Sequence, residues 1–157
     1  MSRPRRAKFL GRIATWLPSM RRCTRSYFSP SGVVPGVSSA LAAPTLAGIP
    51  LTAKGVTQSF TVVSAHLAPG DPASTVDWDA LARLGGTLVL LMAVDRLAAC
   101  CAALVAGGLP ASTPVAVVER ASLPTQRLSV STLADAGSLD VSAPAVVVVG
   151  EVVGWRA

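Results

Sequence analysis

Residues 33–67, VVPGVSSALAAPTLAGIPLTAKGVTQSFTVVSAHL, decide the fold of this chain. Val33 and Val34 end a strand, and Pro35-Gly36 turns the backbone. Ser38 then stands where a helix N-cap is wanted, because its hydroxyl can accept from a free amide of the first turn. The small residues that follow predict a helix over Ser39 to Ala47. Gly48-Ile49-Pro50 ends it, since proline has no N–H to continue the ladder. After a loop, Gln58 to Ala65 is rich in β-formers and predicts a buried strand. Strand end, helix and strand in succession open an α/β arrangement.

Working outward, Ala68 to Thr75 (APGDPAST) is a loop. Asp77 is placed to cap a short helix with apolar Trp78, Leu81 and Leu84. Thr87 to Met92 is almost wholly apolar, as expected of a strand covered on both faces. Val94 to Ala106 sets Leu97, Cys101, Leu104 and Val105 on one helical stripe. Gly107-Gly108 ends that helix, and Pro110 prevents its return. Val115–Val118 and Arg127–Thr132 predict strands around SLPTQ, which suits a hairpin. Leu133 begins a short helix or turn, and Ala145–Val149 is another strand buried on both faces. The fold class is α/β, a mixed sheet with flanking helices.

The 157 residues are 51% hydrophobic, enough to bury a core of one domain. Leu84 to Leu109 is the longest candidate for a membrane span. Asp95 and Arg96 sit near its middle, where each would cost about 2.5–3.5 kcal/mol, so it reads as strand plus helix. Three cysteines make no disulfide framework. Cys100 and Cys101 read as small buried hydrophobes of a reducing cytoplasm. With His66 as the single histidine, no zinc set is formed. No P-loop, GxGxxG or nucleophile elbow is present.

The run from Val33 to Leu67 resembles the middle of the tetrapyrrole methylases, in their uroporphyrinogen-III C-methylating branch. The resemblance continues through TLVLLMAV (87–94), GGLPASTPVAVVERASLPTQR (107–127), TLAD (132–135) and PAVVVVGEVVGW (144–155). It implies two α/β domains with the cofactor between them, this chain holding the second and the end of the first. The implied activity is S-adenosylmethionine-dependent methylation of uroporphyrinogen III to precorrin-2, for sirohaem or cobalamin. A non-catalytic half-protein partner and a later corrin-ring methylase are the alternatives.

Site residues follow from the resemblance, position by position. Ser38 and Ser39, after the Pro-Gly turn, align with cofactor contacts, although without the resemblance they read as an ordinary N-cap. Met92 aligns with a cofactor-contacting Met, and Ala121 with a small contacting residue after Val-Glu; core packing and a plain loop are the competing explanations. GIPLTAKG aligns with a segment lining the tetrapyrrole side, where Lys54 would meet substrate carboxylates. His66 reads as a strand-end histidine or a pocket residue. The family's GxGPGD segment and its Lys-Gly-Gly-Asp-Pro loop have no counterpart here, so no catalytic residue is assigned and little activity is expected of the chain alone. The resemblance also allows a homodimer; neither nucleic acid nor membrane is expected as a partner.

Upstream of about Gly32 the resemblance stops. Residues 1–28 hold eight basic and no acidic residues, leaving six basic against eight acidic beyond them. A basic head, 1–31, thus precedes a mildly acidic body, 32–157. The head's composition fits a transit peptide, a nucleic-acid-binding arm, or shifted-frame translation of GC-rich coding sequence. The abrupt end of the resemblance favours the last, and a non-native or disordered head is expected.

Overall fold

The computed structural model describes residues 35–156. The expected basic head, Cys23 and the strand end at Val33-Val34 lie outside them. The compact unit that carries the fold runs from Val37 to Ala157.

Helix α1 spans Ser39–Leu46, and Ser38 caps it by accepting from Ala40 N–H at 3.2 Å. Its end is closed where the Pro44 carbonyl accepts from Ala47 and Ile49. Strand β1 is Phe60–Ser64, and α2, Trp78–Leu84, is capped by Asp77 accepting from Ala80 N–H at 2.8 Å. Strand β2 is Thr87–Leu91. A 3-10 turn, Val94–Arg96, leads into α3, Leu97–Ala106. Strands β3 (Pro114–Glu119), β4 (Arg127–Thr132) and β5 (Ala145–Val149) follow, and Glu151–Trp155 forms a closing 3-10 turn.

The five strands form one sheet in the order β1-β2-β5-β3-β4. β1 and β2 run parallel; β5 is antiparallel to both β2 and β3, and β3 to β4. β1, β2 and β3 therefore share one direction, with their carboxyl ends on the same side of the sheet. Alternation sorts the side chains to two faces. Leu88, Leu90, Val115, Val117, Val147 and Val149 point to α2 and α3. Val89, Val118 and Val146 meet Ala40 and Ala43 of α1, while Ala116 and Val148 meet Ile49, Val152 and Val153. The mixed α/β class is as expected from the sequence.

One strand departs from expectation. β1 lies at the sheet edge and is only half buried: Val63 is in the core, but Val62 is 44% exposed. Its β-rich composition describes fitness for a pleated surface, which edge strands share with central ones. The stripe on α3 also differs. Cys100 is buried beside Leu97, Cys101 and Leu104, and Val105 only partly so. Leu84, on the expected apolar side of α2, is exposed, whereas Ala82 is buried. The reason is contact: α2 meets α3 so closely that a Cβ on Gly107 would fall 2.7 Å from Ala82 Cβ. Both described cysteines are free, and burial pushes each thiol up to about 11. Among the described residues no helix is long and apolar enough to cross a membrane.

Candidate functional site

Strands sharing a direction leave a crevice beyond their carboxyl ends, where open α/β sheets bind ligands. Here β2 ends in Leu91-Met92, β3 ends in Glu119-Arg120, and antiparallel β5 begins beside them with Ala145. Helix α1 crosses the same end through its contact with Val89, Val118 and Val146. Together they enclose an open cleft of about 670 Å³.

Three of the four expected cofactor residues line this cleft: Ser39 from α1, Met92 after β2, and Ala121 after β3. Residues 39, 92 and 121 are far apart in sequence, and the sheet order alone brings them together. Ser38 is adjacent but does not line it; its hydroxyl is engaged as the cap of α1. Lys54 is not among the lining residues either. It sits on an exposed turn closed by a bridge between Ala53 and Thr57. His66 is exposed beyond β1, with Nδ1 3.0 Å from the Ser64 hydroxyl, and faces a separate groove against α2.

The wall is mainly apolar, from Leu91, Val94, Val118, Leu123, Pro144 and Val146, with Met92 61% exposed at the rim. Two charged side chains enter it, Asp95 and Arg120. Arg120 Nε is buried without a hydrogen-bond partner; the other two such atoms among the described residues, Trp78 Nε1 and Thr87 Oγ1, do not line the cleft. A ligand with an apolar face and an anionic group suits this lining.

The sequence profile of the Tetrapyrrole (Corrin/Porphyrin) Methylases matches residues 27–137. The chain belongs to this family. The S-adenosyl-L-methionine-dependent uroporphyrinogen III methyltransferase of Methanosarcina barkeri is 45% identical over 125 residues, covering 77% of this chain and 49% of that protein. The uroporphyrinogen-III C-methyltransferase of Pseudomonas aeruginosa is 44% identical over 126 residues, 78% of this chain and 50% of that one. The uroporphyrin-III C-methyl transferase of Thermus thermophilus, complexed with S-adenyl homocysteine, superposes with a TM-score of 0.67 at 36% identity. That match covers 78% of this chain and 51% of the other. The chain spans about half the length of the curated relatives it matches.

Within this tetrapyrrole methylase chain, sequence reasoning missed what holds the cleft open. Gln126, in the expected hairpin loop, accepts from Ser122 N–H at 3.0 Å and donates to the Leu46 carbonyl at 3.3 Å. It ties the end of α1 to the loop that carries Ala121. Glu119, fully buried, accepts from Arg127 Nε at 2.5 Å and from the Ser142 amide and hydroxyl at 2.9 and 3.0 Å. Ser142 precedes Ala143 and Pro144 on the cleft rim, so this carboxylate fixes that rim. No spacing rule marks either residue, because each partner lies on another element.

The bond from Arg127 holds the Glu119 carboxyl down at about 2, below its ordinary 4.5, against the opposing effect of burial. A depressed carboxylate stabilises the fold fully above its unfolded value, and the contribution is lost as pH falls through the folded one. The thermal midpoint should therefore drop between about pH 5 and pH 2. Glu119→Gln should be less stable at pH 7 and show a shallower acid slope. Thermal scans across that range check this; equal slopes would show that Glu119 is not a controlling group.

Proposed function

We propose that this chain supplies the carboxy-terminal half of an S-adenosylmethionine-dependent uroporphyrinogen-III C-methyltransferase. The observation that carries the reading is the convergence of Ser39, Met92 and Ala121 on one apolar cleft containing an orphaned arginine. Bound there, S-adenosylmethionine would supply an electrophilic methyl group for a ring carbon of the tetrapyrrole. The chain's own contribution is positioning and exclusion of water. Met92 offers a polarizable thioether to the adenine or the sulfonium end. The exposed start of α1 at Ser39 can meet a hydroxyl or carboxylate, and Ala121 leaves room for close approach. Lys54, on its exposed turn, is free to meet a substrate carboxylate as a point charge. A cytoplasmic location goes with this reading and with two free, buried cysteines.

The chain lacks the family's glycine-rich GxGPGD segment. We therefore expect it to bind S-adenosylmethionine more weakly than about 1 μM, the level that corresponds to roughly −8 kcal/mol, and to transfer no methyl group alone. Adding the amino-terminal half of the Pseudomonas aeruginosa relative in trans should give a soluble complex that methylates uroporphyrinogen III. In that complex, Met92→Ala should weaken the methyl donor by about twofold to tenfold. Lys54→Ala should raise the KM for the tetrapyrrole by about twofold to fivefold. A complex that forms but transfers no methyl group would instead make the chain a non-catalytic partner. Equal effects of both substitutions on both ligands would show that the two residues are misassigned.

A further inference from the structure

We propose that Arg120 holds the anionic end of the ligand in this cleft, its guanidinium pairing with a carboxylate. The inference rests on the reading of the cleft as the methyl-donor site. A guanidinium N–H that is buried without an acceptor is unfavourable, more so on a charged group than on a neutral one. Such a group persists where a ligand completes it. The protein's own carboxylates do not: Glu119, next in sequence, is taken by Arg127 and Ser142, and that pair is the sole ion pair among the described residues. Asp95 lines the same cleft without pairing to Arg120. A cation and an anion left apart on one wall match a zwitterion, such as the amino-acid end of a methyl donor.

The backbone supports the same assignment. Arg120 has φ 47°, in the left-handed region that non-glycine residues seldom occupy, and its amide donates to the Pro144 carbonyl at 2.9 Å. Met92 (φ 57°) and Ser122 (φ 71°) share that conformation, and they are the only other non-glycine residues among the described ones to do so. All three lie on or beside the cleft. Backbone held in a sparse region persists where surrounding structure over-determines it, and it gathers at ligand clamps.

A carboxylate can come from the amino-acid end of the methyl donor or from a tetrapyrrole side chain, and three probes separate the sources. The full chain would be titrated with S-adenosylhomocysteine, with 5′-methylthioadenosine, which lacks the amino-acid end, and with uroporphyrin III. Binding would be followed by chemical-shift changes at millimolar ligand. Arg120→Met is the test variant, because an unbranched side chain leaves the φ requirement unchanged; Arg120→Lys restores the charge without the fork. We expect Arg120→Met to weaken S-adenosylhomocysteine by about tenfold, to leave methylthioadenosine unchanged, and Arg120→Lys to recover part of the loss. Weakened uroporphyrin with unchanged S-adenosylhomocysteine would support the carboxylate role and assign it to the tetrapyrrole. Unchanged binding of both, in a variant that melts like the parent, would overturn the inference and leave the cleft reading standing. Absence of binding of all three by the unaltered chain when it is joined in trans by the amino-terminal half would overturn the cleft reading, and this inference with it.

Discussion

Leu90→Ala is expected to lower the stability of the fold by about 3–5 kcal/mol. Leu90 is fully buried within β2, with Val63 and Val147 as its register partners on either side. Its side chain faces α2 and α3, among Leu88, Leu97, Leu104 and Val117. Those neighbours belong to a continuous sheet and a helix locked at Gly107, so they cannot collapse into the space left behind. For a unit of this size the loss corresponds to a fall in midpoint of about 12–20 °C, at roughly 4 °C per kcal/mol. Leu128→Ala, on edge strand β4 with 36% of its surface exposed, is the control and should move the midpoint far less. Comparable losses in the two variants would mean that the core is not centred between β2 and α3.

The second large effect is expected at Ala43. It is 1% exposed, packs with Val89, Val118 and Val146, and forms part of the cleft wall. Ala43→Phe has no space between α1 and the sheet, so the helix must lift. Overpacking of this kind costs about 1–3 kcal/mol. The larger consequence is functional, because Ser39 and the tie from Gln126 to Leu46 travel with the helix. Binding of S-adenosylhomocysteine should fall below detection while the protein remains folded. Leu41→Phe, on the exposed side of the same helix, should change neither property. Retained binding in Ala43→Phe would show that α1 is not a wall of the site.

Much of the fold is legible in the sequence where one local rule suffices. Ser38 and Asp77 are caps because their side chains satisfy amides two or three residues ahead. The apolar runs of β2 and β5 announce burial on both faces. What such runs do not encode is their neighbours. Nothing in AVVVV tells that β5 inserts between β2 and β3, and nothing in the β-branched run of β1 tells that it stays at the edge. The candidate site divides in the same way. Ser39, Met92 and Ala121 were reachable through family resemblance, and the sheet order brings them to one cleft. Arg120, Gln126 and Glu119 were not singled out, because their significance lies in partners held or lacking across space.

The place of β5 also bears on how the chain is made. Its residues, 145–149, are synthesised after the other four described strands, yet β2 and β3 each need them as a neighbour. Until they emerge, the ribosome-bound chain carries two apolar strands with open edges, and the pairing that closes the sheet spans some of its longest sequence separations. Loop closure over such separations is slow and leaves edges exposed to other chains. Chaperone dependence during synthesis should therefore end abruptly as Val149 becomes available, rather than decline gradually with length.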